Sequence, residues 1–204
     1  MKLYYSPGAC SLAPHIVARE AGVPVDLQKV DLATHKLADG ADYYGVNPRG
    51  YVPALRFKDD EPVLTEANIV VQFIADQKPD AGLMPKAGTP ERYRAQQWLA
   101  FIATELHKNF SWLWSKETPT ETKSTIKGKL NKRFAELDIH FKSNDFLLGK
   151  SFSAADAYAF AIINWVNFLG LDLKNYPNLQ AFMDRVAARP KVQEALKAEG
   201  LLAA

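Results

Sequence analysis

Cys10 is the single cysteine in 204 residues, and its neighbours point to thiol chemistry. It follows the turn formers Ser6, Pro7 and Gly8, which cannot continue the aromatic run Tyr4-Tyr5 as a strand. It precedes Ser11 and a helix-like run to Glu20. Free backbone N–H groups and the positive end of the helix dipole favour negative charge at such a place. A thiol there is pushed towards thiolate, its reactive form. A buried free cysteine is equally often an inert packing residue, so position alone leaves both readings open.

The elements that would hold this thiol in place are legible as patterns. Lys2–Tyr5 reads as a short strand and Ser11–Ala21 as a helix, with Pro14 in its first turn and Gly22 and Pro24 beyond its end. Val25–Val30 alternates apolar and polar residues as a second strand. Together these form a βαβ unit, which implies parallel pairing and a right-handed crossover. Leu32–Gly45 is polar and irregular, with some helix expected. Asn47-Pro48-Arg49-Gly50-Tyr51-Val52-Pro53 leads into a strand, Ala54–Phe57. Residues 58–61 should turn the chain back into a short strand, Pro62–Leu64. Thr65-Glu66 then opens a helix to about Gln77, with Ile69, Val70, Phe73 and Ile74 at helical spacing.

Lys78–Gly88 carries two prolines and two glycines and reads as a linker. Every later element looks helical. Thr89-Pro90-Glu91 is a strong helix start, and that helix should run to Trp114 with apolar residues on several faces. Thr118–Glu121 restarts a helix to about Lys142. Ser153-Ala154-Ala155-Asp156 has capping-box spacing ahead of the most apolar helix. Two short helices, Asn178–Ala188 and Lys191–Ala198, close the chain. The expected fold is therefore α/β plus all-α. A domain over residues 1–79 carries a mixed four-stranded sheet, residues 80–88 link it, and a helical bundle fills residues 89–204.

Composition narrows the functional classes. Hydrophobic content is 48%, charged content 24% and net charge +2, so nothing calls for nucleic acid or an anionic membrane. A lone cysteine excludes an internal disulfide or a C-x-x-C redox pair and fits a reducing compartment. The N-terminus does not read as a signal peptide and no apolar run is long enough to span a bilayer, so a cytoplasmic location is expected.

Five motifs in the same order and spacing resemble the glutathione S-transferases, in particular their bacterial beta class. They are Tyr5-x-Pro7-Gly8-Ala9-Cys10-Ser11-Leu12, Asn47-Pro48-x-Gly50-x-Val52-Pro53-Ala54-Leu55, Leu64-Thr65-Glu66, Ala103-Thr104-Glu105-Leu106-His107-Lys108 and Asp156-Ala157-Tyr158. The resemblance spans essentially the whole chain. It implies a thioredoxin-like N-terminal domain, a homodimer, and glutathione as cosubstrate with no metal or other cofactor. It also implies a hydrophobic electrophilic partner molecule.

The resemblance assigns roles residue by residue. It makes the Val52-Pro53 bond cis, turning the Val52 backbone towards the extended cysteinyl part of glutathione. Glu66 and Ala67 would take the γ-glutamyl end, the acid holding its amine and the helix N-terminus its carboxylate. His107 and Lys108 would lie over the sulfur and the glycyl carboxylate, with Thr104 on the same helix face as His107. Cys10 and His107 are the expected catalytic pair, with Ser11 as a further donor and Tyr5 lining the site. His15 and His140 are expected to be structural, and Ser153 with Asp156 a capping device. Two positions depart from the family pattern. His35, with Lys36 after it, stands where a lysine usually holds the glycyl carboxylate, and Ala100 replaces an asparagine.

The implied function is conjugation of glutathione to hydrophobic electrophiles, with thiol–disulfide exchange through Cys10. Two alternatives stand beside it. One is a non-catalytic carrier of hydrophobic ligands, its cleft lined by aromatics such as Phe110, Trp112, Trp114 and Trp165. The other is a glutaredoxin-like monothiol reductase.

Overall fold

A computed structural model describes residues 1–59 and 61–202. The chain begins with β1 (Lys2–Tyr5), whose last three residues are buried. A turn leads to α1 (Leu12–Ala21), which ends at Gly22, where a φ of 66° lets the N–H reach back to the Ala18 and Arg19 carbonyls. β2 (Asp26–Asp31) pairs parallel with β1, Lys2 opposite Asp26, completing the expected βαβ unit.

The expected order of strands needs one correction. The fourth strand is β3, only Lys36–Leu37, antiparallel to β2 inside the segment expected to be irregular. The returning strand expected at Pro62–Leu64 makes a single bridge, Leu64 to Leu55. Pro62 has no N–H to donate to a ladder, and two residues are too few for β3 to show an alternation. The same segment holds one 3-10 turn, Tyr43–Gly45. β4 (Ala54–Arg56) pairs antiparallel with β1, and the mixed sheet runs β3-β2-β1-β4. Of the turn expected at residues 58–61, Asp60 lies outside the described residues.

α2 (Ala67–Asp76) follows, then the helical half. α3 (Pro90–Phe101) starts where expected, the Thr89 hydroxyl accepting the Arg92 N–H at 3.3 Å. The single helix expected to Trp114 is broken into α3, a π-helical segment Ile102–His107, and α4 (Lys108–Trp114). α5 (Thr120–Phe141), α6 (Ala154–Ile163), α7 (Pro177–Ala187) and α8 (Pro190–Ala198) complete the bundle. Among the described residues, no helix is long and apolar enough to cross a membrane.

α1 is the shared wall between the halves, packing on α2 and also on α6 and α8. Its first seven residues, Leu12 to Ala18, are all buried. All ten residues of α6 are buried too, as a helix apolar on every face requires. One apolar cluster therefore runs from Leu3 through α1 and α6 to Leu196. Asp156 anchors α6, its carboxylate accepting the Ser153 N–H at 2.8 Å, the Ser153 hydroxyl at 2.7 Å and the Leu147 N–H at 2.7 Å. Two bidentate ion pairs tie the halves at their edges. Arg92 holds both carboxylate oxygens of Asp76 at 2.7 Å, and Arg189 holds those of Glu20 at 2.7 and 2.8 Å.

Candidate active site

A cleft of about 890 Å³ opens between the two halves. On the sheet side it is lined by the turn after β1, the segment before β4 and the start of α2. On the helical side it is lined by the π segment, α4 and the residues after α6.

The turn that carries Cys10 is fixed from both halves. Gly8 takes a φ of 71°, which suits a residue without a Cβ. Its carbonyl accepts the Trp165 indole N–H at 2.8 Å, and its N–H donates to the Glu199 carboxylate at 3.0 Å. The other Glu199 oxygen lies 2.9 Å from His15 Nδ1, and both side chains are fully buried. His15 is thus structural, as expected. Ser11 closes the turn locally, its hydroxyl donating to the Ser6 carbonyl at 3.2 Å and accepting the Ser6 N–H at 3.1 Å.

Cys10 lines the cleft but is only 8% exposed, and its thiol donates to the Val52 carbonyl at 3.2 Å. The push towards thiolate expected from the helix start is overridden. Burial raises the thiol to about 12, and the neighbouring backbone N–H groups of Cys10 and Ser11 only moderate that rise. In the free protein Cys10 is a protonated hydrogen-bond donor.

The Val52-Pro53 bond is cis, and both residues line the cleft. Glu66 precedes α2 with φ 67° and ψ 113°, a conformation rare for a residue with a side chain. It bends the chain so that Glu66, Ala67 and Asn68 all border the cleft. The Glu66 carbonyl takes the N–H groups of Ile69 and Val70. Those of Ala67 and Asn68, at the helix start, have no intrahelical partner. The Glu66 carboxylate pairs with Arg49 at 3.1 Å.

His107 ends the π segment. Its Nδ1 lies 2.6 Å from the Tyr158 hydroxyl, and its ring meets Trp165 edge-on at 5.1 Å. Burial first, and Lys108 second, lower its pKa to about 4, so the ring is neutral at pH 7. Tyr158 is 2% exposed and this is the one hydrogen bond found for its hydroxyl among the described residues. A buried phenol must place its proton somewhere. It therefore donates to Nδ1, leaving an N–H on Nε2. Lys108 lines the cleft as well, its ammonium 6.0 Å from the Trp112 ring centroid.

The cleft thus gathers Cys10, Val52, Pro53, Glu66, Ala67, His107 and Lys108 of the expected residues. Four others stay outside it. Ser11 is fully buried with its hydroxyl committed to the turn. Tyr5 is buried behind the turn, its ring 6.3 Å from His15. His35 takes φ 52° and stacks on Tyr44 at 4.6 Å, its Nδ1 buried without a partner among the described residues. Thr104 is turned to solvent and donates to the Ala100 carbonyl at 3.0 Å. The last miss follows from the π segment. Its wider turn sets Ala103, not Thr104, beneath His107 and Lys108.

Of the aromatics expected, Trp114 and Trp165 line the cleft, Phe110 is wholly buried and Trp112 lies outside. Sequence reading missed Arg49, Asn68, Phe168 and Leu201 as lining residues. Arg49 was within reach of it, as the variable position of the Asn-Pro-x-Gly motif. Phe168 and Leu201 carry no local signal and arrive only through tertiary folding. Among the described residues, no group of three or more His, Cys, Asp or Glu side chains could hold a metal ion.

Comparison with known proteins agrees with this architecture. Residues 8–77 match the model of the glutathione S-transferase N-terminal domain, and residues 98–190 that of the C-terminal domain. The chain is 44% identical to glutathione S-transferase GstA of Escherichia coli O157:H7 over 201 residues, covering 98% of this chain and all of the relative. It is 36% identical to glutathione S-transferase GST-4.5 of Xanthomonas campestris pv. campestris, covering 98% and 100%. A ternary complex of BphK, a bacterial GST, superposes with a TM-score of 0.95 at 49% identity, covering 98% and 100%. A sphingomonad glutathione S-transferase complexed with glutathione superposes with a TM-score of 0.93 at 43% identity, covering 99% and 100%. With this cleft, this fold and these full-length matches, the chain belongs to the glutathione S-transferase family, with a bacterial beta-class transferase from Sphingomonas chungbukensis among its structural neighbours.

Proposed function

We propose that this transferase binds glutathione along the Val52–Asn68 edge of the cleft and joins its sulfur to hydrophobic electrophiles held by the helical wall. The observation that carries this reading is the sharing of one cleft by two unlike halves. Backbone bordering the cleft at Val52 and at the start of α2 suits an extended peptide. Trp114, Trp165, Phe168 and Leu201 opposite suit an apolar partner. The boundaries expected from sequence give the division of labour, residues 1–79 serving most of glutathione and residues 89–204 the electrophile, with His107 and Lys108 reaching glutathione from the helical side.

In this reading Glu66 takes the γ-glutamyl amine and the N–H groups of Ala67 and Asn68 its carboxylate. The Val52 backbone pairs with the cysteinyl unit, and Lys108 takes the glycyl carboxylate. His107 acts as a donor, not a base, because its free proton lies on Nε2. That N–H stabilises the glutathione thiolate as it attacks. The new carbon–sulfur bond forms as the electrophile's leaving group departs with its electron pair.

Cys10 adds a second reaction. Deprotonated to solvent, its sulfur attacks the disulfide of oxidised glutathione. One bond to glutathione sulfur forms and the other glutathione leaves as thiolate. Raised by burial, the thiol is a slow nucleophile until a ligand sulfur lies beside it. A cytoplasmic homodimer with two-fold symmetry belongs to the same proposal, with the exposed Tyr51, Ile69 and Tyr93 side chains as candidates for the subunit contact. Sedimentation of a single monomeric species would contradict the dimer.

Cys10→Ala tests the division between the two reactions. Conjugation of glutathione to 1-chloro-2,4-dinitrobenzene should stay within about threefold of wild type, since the variant keeps the donors at His107 and Lys108. Loss of a hundredfold or more would make Cys10 a participant in conjugation itself.

A further inference from the structure

We infer that Arg49 is a specificity residue of the glutathione site, reading the carboxylate of the amino-acid head while Glu66 reads its amine. This inference rests on the glutathione reading above and names a contact that reading leaves out.

Three charged side chains line the cleft among the described residues: Arg49, Glu66 and Lys108. His107 adds no charge at neutral pH. Glutathione carries two carboxylates and one ammonium, so two cations and one anion complement it group for group. Lys108 on the helical side accounts for one carboxylate. The other carboxylate shares a carbon with the ammonium that Glu66 would hold, and the cation next to Glu66 is Arg49, 3.1 Å away. His35 and Lys36, the positions from which a cation is expected by resemblance, do not border the cleft.

The free protein keeps Arg49 ready for this exchange. Its backbone N–H is fixed by the Asn47 side-chain oxygen at 3.2 Å. Asn47 is itself 3% exposed and bonded to the Tyr51 carbonyl at 2.7 Å. The segment is held while the guanidinium at its surface is restrained only by the exposed pair with Glu66. The Arg49 and Glu66 side chains are 69% and 64% exposed, and exposed pairs of this kind contribute little. An amino-acid head can therefore enter between them at small cost. One solvent-screened pair is replaced by two charge-assisted pairs, with the N–H groups at the start of α2 as further donors to the same carboxylate.

Calorimetric titration of wild type and Arg49→Gln with two ligands tests the inference. One ligand is glutathione. The other is 4-aminobutyryl-cysteinylglycine, which lacks only the carboxylate of the head. Arg49→Gln should weaken glutathione about tenfold, the value of one charge-assisted contact. It should change the analogue less than about twofold, since the coupling belongs to the missing carboxylate. Arg49→Lys should restore part of the loss. Equal glutathione affinity in wild type and Arg49→Gln overturns the inference alone, as does equal weakening of both ligands. A wild-type chain that binds no glutathione overturns both readings. Far-ultraviolet dichroism of the variants controls for folding, which an exposed side chain should not affect.

Discussion

His107 sits between a phenol and an open cleft, and that arrangement sets both its charge and its tautomer. Tyr158 occupies Nδ1 at 2.6 Å, and burial with Lys108 beside it holds the ring at a pKa of about 4. A nuclear magnetic resonance titration should find His107 neutral above pH ~5, against ~6.5 for a free histidine. A midpoint near 6.5 would contradict the burial that holds the ring neutral. With the folded pKa depressed below the unfolded one, the unfolded chain binds the extra proton. Stability from His107 is complete above pH ~6.5 and is lost as pH falls towards 4. Sequence reading found this histidine through its motif but not its tautomer, because Tyr158 lies 51 residues away. Cys10 shows the opposite limit. Its place before a helix was legible and favours thiolate. The enclosing walls, which reverse the shift, exist only in the folded chain.

Element by element, long and strongly patterned segments were legible. β1, α1, β2, α5 and the Ser153 start of α6 lie where propensity, caps and apolar spacing place them. What failed was short or irregular. β3 has two residues and no pattern of its own. The π segment Ile102–His107 reads as ordinary helix in sequence, yet it decides that Ala103 and not Thr104 borders the cleft. Asp156 shows how much one legible cap carries. Its carboxylate receives three donors in a fully buried place, so Asp156→Ala strands the Leu147 and Ser153 N–H groups. Urea unfolding should report a loss of about 2–4 kcal/mol, two unsatisfied buried donors at the usual cost each. A loss below ~0.5 kcal/mol would show that water replaces the carboxylate. Gly50 is a second fixed point. With φ 69° and the His35 ring 2.8 Å from any added Cβ, Gly50→Ala should cost ~2 kcal/mol or more through strain and steric overlap. A neutral effect in the same experiment would contradict the packing of His35 described here.

At the scale of the whole molecule, function depends on how two halves meet. The sheet half offers backbone, at Val52 and at the start of α2. The helical half offers His107, Lys108 and an aromatic wall. A shared core through α1 and α6, with the Arg92–Asp76 and Arg189–Glu20 pairs at its edges, holds them together. That there would be two halves was legible from the change of composition near residue 89. That Glu199, near the end of the chain, would hold the turn of Cys10 through Gly8 was not, because the contact spans 191 residues. On the proposed function, a glutathione sulfur comes to rest beside Cys10 in this cleft. Intact mass of the purified protein after incubation with oxidised glutathione tests it most directly, since the chain has a single cysteine and any mixed disulfide must be on it. A slow gain of one glutathione per chain is expected, removed by reductant and suppressed by excess S-methylglutathione. No adduct at a saturating concentration, or an adduct that S-methylglutathione leaves unchanged, would contradict it.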